Sequence, residues 1–251
     1  HISEYSHIID GENKIIAGST ATTYGCKHEC THCPVPIQFH GSFKTFGEEK
    51  IMQDVSNQVE DGAKHISFND PDFFNGPKHA IKILELLNNK HPEITYDSTI
   101  KVEHILKYPQ YFQELKELNM LFVISAFETT NDKVLNILKK NHTADDLKRA
   151  VELSLSNSID IRPTWMPFTP WTEVKDFVNI INLIENYKLR ETVAPIQLTI
   201  KLLIPKNSLI LSSNEIEPYI GVFDPTSFSY QWTYKNPEID KLQKQLFEYV
   251  L

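Results

Sequence analysis

The sequence has 251 residues, of which 41% are hydrophobic and 23% charged, and its formal net charge is −8. An acidic chain is a poor match for nucleic acid, which needs a basic surface, so a small-molecule substrate is favoured. No apolar run reaches the roughly 18 residues of a membrane span, and residues 1–5 lack the apolar stretch of a signal peptide. We therefore expect neither a nucleic-acid partner nor a membrane partner.

Short apolar runs alternate with amphipathic patterns along the chain. The predicted strands are 14–20, 65–69, 94–100, 120–127, 159–166 and 196–204. The predicted helices are 48–61, 78–89, 111–118, 132–139, 144–157, 174–186 and one that starts at Pro237 after an Asn236 cap. Thr143 with Asp146 predicts a capping box, and Thr172 is the predicted N-cap of 174–186.

Six strand-then-helix units predict an α/β fold with parallel strands joined by right-handed crossovers. Six units are fewer than the eight that close a full barrel, so we expect a partial (β/α)6 TIM-like barrel. We expect one domain over 1–251, with a core of about 14–204 and an irregular C-terminal extension over 205–251. Ligands should bind at the C-terminal ends of the strands.

The only three cysteines, Cys26, Cys30 and Cys33, lie on one short loop with the spacing C-x3-C-x2-C. This clustering is a poor disulfide framework and indicates a ligand set in a reducing compartment, so we expect a cytoplasmic protein. Thiolates are soft ligands that suit iron–sulfur clusters or zinc. A four-iron cluster normally has four thiolate ligands, so three leave one iron open. The alternative is zinc with His28 or His32 as fourth ligand, although structural zinc favours paired C-x2-C units.

The loop, which follows the first predicted strand, resembles the signature of the radical S-adenosylmethionine (SAM) superfamily. In that superfamily the amino and carboxylate groups of SAM chelate the open iron, and an electron from the cluster breaks a carbon–sulfur bond. The resemblance implies a [4Fe–4S] cluster on the three cysteines, SAM as second cofactor, and an electron donor such as flavodoxin or ferredoxin. His32 precedes the third cysteine, where an aromatic residue often contacts adenine.

Two further turns match superfamily positions. Asn69, Asp70 and Asp72 follow the second predicted strand, where a glycine- and glutamate-containing turn usually receives the SAM amino group. The alternative is an Asx turn fixed by the intervening proline. Ser125 and Glu128 resemble the turn that contacts the ribose hydroxyls. The alternative for Glu128 is a favourable charge at the start of the next helix.

Polar side chains at two other strands complete the predicted SAM site. Thr99 and Lys101, and with them His104, end the third strand and are expected to face the cavity. Arg162 lies on the fifth strand, where its planar guanidinium suits a carboxylate of SAM or of the substrate. A salt bridge at the barrel edge is an equal alternative for Arg162.

Longer segments, among them "ISFNDPDFFNGPKHA" and "APIQLTIKLLIPKNSLIL", resemble the radical SAM proteins with a CUAEP/CCAEP tail, to which the enzyme of arsinothricin synthesis is similar. That resemblance implies transfer of the 3-amino-3-carboxypropyl group of SAM to trivalent arsenic, with arsenite as the small-molecule substrate. Two alternatives stay open. One is a 5′-deoxyadenosyl-radical enzyme acting on a small organic substrate, and the other is a zinc or iron–sulfur binding module without enzymatic activity.

Overall fold

The computed structural model describes residues 6–10 and 13–250 of the chain. Its strands are β1 (His7–Asp10), β2 (Asn13–Thr20), β3 (Thr23–Gly25), β4 (Phe43–Thr45), β5 (His65–Phe68), β6 (Thr95–Thr99), β7 (Met120–Glu128), β8 (Asp160–Trp165), β9 (Ile220–Asp224) and β10 (Ser229–Trp232). Its helices are α1 (Val35–Phe39), α2 (Glu48–Glu60), α3 (Pro77–Lys90), α4 (Val102–Lys107), α5 (Gln110–Glu117), α6 (Asp132–Ile137), α7 (Ala144–Ser156), α8 (Val174–Asn186) and α9 (Pro237–Val250).

The main sheet has six strands in the order β1-β2-β5-β6-β7-β8 and curls into a half-barrel. β1 is antiparallel to β2, and the other neighbours pair in parallel. This architecture confirms the predicted α/β partial barrel.

Alternation along the strands separates an apolar face from a polar one. On β5, Ile66 and Phe68 join the buried core that the helices cover, together with Tyr96, Val123 and Ile161 of the neighbouring strands. Since successive side chains of a strand point to opposite faces, the residues between them line the concave side of the half-barrel. These concave residues include His65, Ser67, Asp97, Phe122 and Arg162.

The strand predicted over 196–204 is absent from the described chain. Pro195–Thr199 forms a 3₁₀ helix instead, and Lys201 makes only an isolated bridge to Phe168. Pro195 has no N–H for a strand ladder, and the Thr199 hydroxyl donates to the Ile196 carbonyl at 2.8 Å, which stabilises the 3₁₀ turn. The sixth strand of the sheet is β1, at the opposite edge, which the sequence pattern did not predict.

Helix capping was predicted correctly at one helix and wrongly at another. Thr143 and Asp146 form the predicted capping box of α7. The N-cap of α8 is Glu173, which forms a capping box with Asp176, and not Thr172. The Thr172 hydroxyl donates instead to the Pro167 carbonyl at 2.8 Å.

The C-terminal extension packs against the cysteine loop. Its apolar residues, among them Ile210 and Ile216, form a second core with α6. The Ile210 N–H and the Ser208 hydroxyl both donate to the Thr31 carbonyl, at 2.9 and 3.0 Å. The extension therefore stabilises the cysteine loop through these hydrogen bonds. Within residues 6–10 and 13–250, no helix is long and apolar enough to cross a membrane.

Candidate functional site

The cysteine loop runs from the end of β3 to the start of α1. Gly25 precedes it with φ +83°, and a Cβ at this position would lie 2.5 Å from the Ser42 carbonyl oxygen, so glycine is required there. Cys26 and Cys30 are each 8% exposed, Cys33 is half-buried, and all three thiols are free.

Neighbouring polar groups orient the thiols. The Asn75 amide oxygen accepts from the Cys26 thiol at 3.7 Å and from the Lys27 N–H at 3.2 Å, while its NH₂ donates to the Gly25 carbonyl. The Lys101 ammonium donates to the Cys30 sulfur at 3.7 Å. Burial raises the pKa of the Cys26 and Cys33 thiols. Three thiols on one loop are soft donors that iron prefers, and metal binding deprotonates them, so this donor set fits an iron–sulfur cluster.

Glu128 lies beside the loop in a strained backbone conformation. Its φ is +65°, and the pairing of β7 with β8 shifts register between Ala126 and Glu128. Its Oε1 lies 2.9 Å from the Lys140 ammonium and 3.2 Å from His32 Nε2. Burial alone would raise the pKa of Glu128, but Lys140 and His32 hold it well below its usual range. No described residue donates a hydrogen bond to Oε2, so that oxygen is free for a ligand.

Four other predicted SAM contacts differ in accessibility. Asn69 is exposed at the end of β5, and Thr99 is half-buried at the end of β6. Asp70 is 2% exposed, and its two oxygens accept four hydrogen bonds from Thr22 and Thr23. Ser125 is fully buried and donates to the Ile100 carbonyl at 2.7 Å. Asn69 and Thr99 are thus open to a ligand, whereas the contacts of Asp70 and Ser125 lie within the protein.

Asp72 lies between two histidines. Its Oδ2 is 2.6 Å from His104 Nδ1 and 3.4 Å from His28 Nε2, and the two imidazole rings lie 4.8 Å apart. Burial alone would raise the pKa of Asp72, but His104 and His28 hold it well below its usual range. These three side chains come from the cysteine loop, the turn after β5 and α4.

Arg162 lies deeper on the concave face. Its guanidinium stacks 3.5 Å above the centre of the Phe122 ring, and none of the residues described accepts a hydrogen bond from it. The same ring stacks on His65, which pairs with Asp97 at 2.7 Å. The predicted salt bridge at the barrel edge is not formed among the described residues.

Asn75, Lys140 and His142 are site residues that the sequence did not single out for a role. Lys140 is 3% and His142 is 7% exposed. Burial, and then the nearby Lys140, lower the pKa of His142 to about 4, so its imidazole is neutral at pH 7. Their position in the sequence was a clue to a role in the site, because Lys140 and His142 follow the helix that starts after Glu128. Their burial could not be predicted, because it depends on how that helix packs in the folded protein.

The sequence profile of the radical SAM superfamily matches residues 20–183, which is more than half of the chain. The chain therefore belongs to the radical SAM superfamily. Members of this superfamily bind two cofactors, a [4Fe–4S] cluster and SAM.

Solved structures of radical SAM enzymes share the fold. The cobalamin-dependent radical SAM enzyme OxsB, with cobalamin and SAM bound, superposes with a TM-score of 0.74 at 14% identity over 90% of this chain. The methyltransferase TsrM from Kitasatospora setae, with tryptophan and a SAM analogue bound, gives 0.67 at 11% identity over 94% of this chain.

The chain spans only 40% of the OxsB chain and 52% of the TsrM chain. At these identities the likeness shows the fold alone. No curated protein sequence matches the chain.

Proposed function

We propose that this protein cleaves SAM reductively at a [4Fe–4S] cluster bound by Cys26, Cys30 and Cys33, and acts on a small molecule. The observation that carries the proposal is three free thiols on one loop at the C-terminal edge of a half-barrel, where barrel enzymes bind their ligands. When bound, the cluster supplies the electron that breaks a carbon–sulfur bond of SAM. A reduced donor such as flavodoxin or ferredoxin provides that electron.

The residues around the loop bind SAM in this proposal. His32 stacks on adenine, Glu128 accepts from the ribose through its free Oε2, and Asn69 accepts from the SAM ammonium, with Thr99 beside it. Lys101 places a positive charge next to Cys30. The contacts of Asp70 and Ser125 favour supporting roles, because Asp70 fixes Thr22 and Thr23 and Ser125 joins β6 to β7.

Arg162 is assigned to the substrate in this proposal. Its Cα partner is Ile124, four residues before Glu128 on β7, or about 13 Å along the strand. The guanidinium therefore lies nearer the N-terminal ends of the strands than the proposed ribose contact, and it faces the concave interior. An unpaired guanidinium in this position suits a carboxylate or another oxyanion.

The finer proposal is transfer of the 3-amino-3-carboxypropyl group to trivalent arsenic. It rests on the resemblance of long segments to the arsinothricin-synthesis enzyme. All three cysteines of this sequence serve the cluster, so arsenic has no cysteine of this sequence left to bind it. Which sulfonium bond breaks depends on which carbon lies in line with the open iron. A 5′-deoxyadenosyl-radical reaction on an organic substrate is the competing outcome.

Product analysis separates these outcomes. The protein is reconstituted anaerobically, reduced, and supplied with SAM with and without arsenite, and products are separated by chromatography with mass detection. 5′-Methylthioadenosine with an arsenic–aminocarboxypropyl product supports the finer proposal. 5′-Deoxyadenosine and methionine as main products contradict it and favour the competing reaction. Intact SAM under all conditions contradicts the proposed function itself.

A further inference from the structure

Two histidines and one aspartate converge next to the cysteine loop. The three residues are His28, Asp72 and His104, and one ligating atom from each lies within 4.8 Å of the others. Their side chains are 9%, 0% and 1% exposed, respectively. We call this set the His₂Asp cluster.

Four buried atoms of the His₂Asp cluster have no hydrogen-bond partner of acceptable geometry. They are His28 Nε2, Asp72 Oδ2 and both ring nitrogens of His104. His104 Nδ1 lies 2.6 Å from Asp72 Oδ2, yet the angles are wrong for a hydrogen bond. A buried polar atom without a partner is costly, so three that face one another, His28 Nε2, Asp72 Oδ2 and His104 Nδ1, indicate a missing ligand.

The spacing of these atoms fits a small cation. Two ligands of one tetrahedral zinc ion, each at about 2.0–2.1 Å, lie about 3.3 Å apart. The separations of 2.6 and 3.4 Å around Asp72 Oδ2 bracket that value. A shift of less than about 1 Å at His104 therefore produces ligand geometry.

Neighbouring groups fix the ligands as in known metal sites. The other oxygen of Asp72, Oδ1, accepts from the backbone N–H groups of Phe74 and Lys101, both at 3.3 Å, which points Oδ2 at the imidazoles. His28 Nδ1 lies 3.6 Å from Glu103 Oε2, and Glu103 in turn accepts from Asn141. At this distance the Glu103 carboxylate acts on the His28 ring by its charge, from the side where metal-binding histidines commonly have a carboxylate.

We propose that the His₂Asp cluster binds one divalent first-row transition-metal ion, Zn²⁺ or Fe²⁺, in addition to the iron–sulfur cluster. Two imidazoles and one carboxylate are the ligand set of such ions, with a fourth position open to water or substrate. Calcium and magnesium are disfavoured because they require oxygen ligands.

This proposal replaces the predicted contact between Asp72 and the SAM ammonium. Asp72 is fully buried, and its free oxygen faces two imidazoles and not open space. Asn69, which is exposed, remains the predicted contact for the ammonium.

Metal analysis of the cluster-loaded protein tests the proposal. Wild-type protein, after reconstitution with iron and sulfide, is supplied with Zn²⁺ in one arm and Fe²⁺ in the other. In the zinc arm we expect one zinc per chain, and X-ray absorption at the zinc edge should show nitrogen and oxygen ligands at about 2.0–2.1 Å without sulfur at about 2.3 Å. In the iron arm we expect one high-spin Fe²⁺ beyond the cluster, seen as a separate Mössbauer signal.

Variants locate the ion. His28→Gln/His104→Gln should bind the added metal at least ten-fold more weakly, whereas His79→Gln, which alters another histidine with an unpartnered Nε2, should bind it normally. Asp72→Asn keeps the shape of the side chain and should also bind weakly, and circular dichroism verifies that each variant is folded. Iron content and SAM consumption in the same samples report separately on the proposed function.

Three results would overturn the metal proposal. They are a wild-type protein that takes up no metal beyond the cluster in either arm, a zinc ion with sulfur ligands, and full metal binding by folded variants of the His₂Asp cluster.

Discussion

Two buried histidine–carboxylate groups, at opposite ends of the half-barrel, differ in how well their atoms are paired. At the start of β5 and β6, His65 contacts the Thr95 hydroxyl at 2.8 Å and Asp97 at 2.7 Å, so both ring nitrogens are paired. The His₂Asp cluster contains the same residue types and has close ion-pair contacts, but its facing atoms make no hydrogen bonds. If the His₂Asp cluster binds a metal as proposed, complete pairing, and not residue type, separates a stabilising contact from a ligand site.

The positions of the two groups agree with this distinction. His65 and Asp97 lie toward the N-terminal ends of the parallel strands. In barrel folds, residues at this end contribute to stability, and active sites lie at the other end. The His₂Asp cluster lies at the C-terminal edge with the cysteine loop, Glu128 and Lys140. That edge gathers strained, buried and charged groups, which is typical of active sites.

The largest effect is expected from the cysteines. Replacing Cys26, Cys30 or Cys33 with Ala should reduce cluster iron and SAM consumption to background, because no other cysteine is present as a substitute ligand. Iron and SAM are measured after anaerobic reconstitution, with circular dichroism to verify folding. Any single variant that keeps both full iron and full SAM consumption contradicts the assignment.

The second prediction compares the His65–Asp97 pair with the His₂Asp cluster by the free energy of unfolding. Asp97→Ala should lower the free energy of unfolding by about 3 kcal/mol, because it leaves His65 Nε2 buried without a partner and removes the acceptor of the half-buried Ser67 hydroxyl. In metal-free protein, His104→Gln should cost only about 1 kcal/mol, because the amide of the variant can still donate to the Asp72 carboxylate in place of the imidazole. Urea unfolding measures both. Equal losses would show that the two groups have the same structural role.

The third prediction uses pH to probe the cysteine-loop edge. His142 takes up a proton at about pH 4 in the folded state and near 6.5 when unfolded, so the unfolded state binds more protons between these values. The free energy of unfolding should therefore fall by roughly 2–3 kcal/mol as the pH is lowered from 6.5 to 4. His142→Gln should flatten the curve in this window. An unchanged slope in the variant would contradict the buried, neutral state of His142.

The smallest effect is expected at the ribose contact. Glu128→Gln should weaken SAM binding to cluster-loaded protein about ten-fold, because a charged hydrogen bond is replaced by a neutral one. Calorimetric titration of SAM measures the affinity. Glu185→Gln is the matched control, since Glu185 lies in an exposed ion pair with Arg190. Unchanged affinity in Glu128→Gln would leave Glu128 with Lys140 and His32 as a structural contact only.

Local patterns predicted much of the fold and the cysteine site. The cysteine spacing, the apolar strand 120–127 and the Thr143 capping box all depend on near neighbours in the chain, and the structure contains each of them. The strand predicted over 196–204 failed because apolar alternation there competes with Pro195 and a local Thr199 bond.

Side-chain pairing was harder to predict than the elements. Asp70 and Ser125 were expected to contact SAM on the basis of their turns, but the directions of their oxygens are set by Thr22, Thr23 and Ile100. The His₂Asp cluster combines three segments that are distant in sequence. Its convergence depends on the curl of the sheet, which a linear pattern does not contain.

Electron paramagnetic resonance of the reduced, reconstituted protein, recorded with and without SAM, tests the central assignment most directly. Three cysteine ligands leave one iron open to SAM. We predict a [4Fe–4S]⁺ spectrum that changes when SAM is added, because SAM then becomes a ligand of that iron. A spectrum that SAM leaves unchanged, or a colourless zinc protein without a signal, would contradict the account.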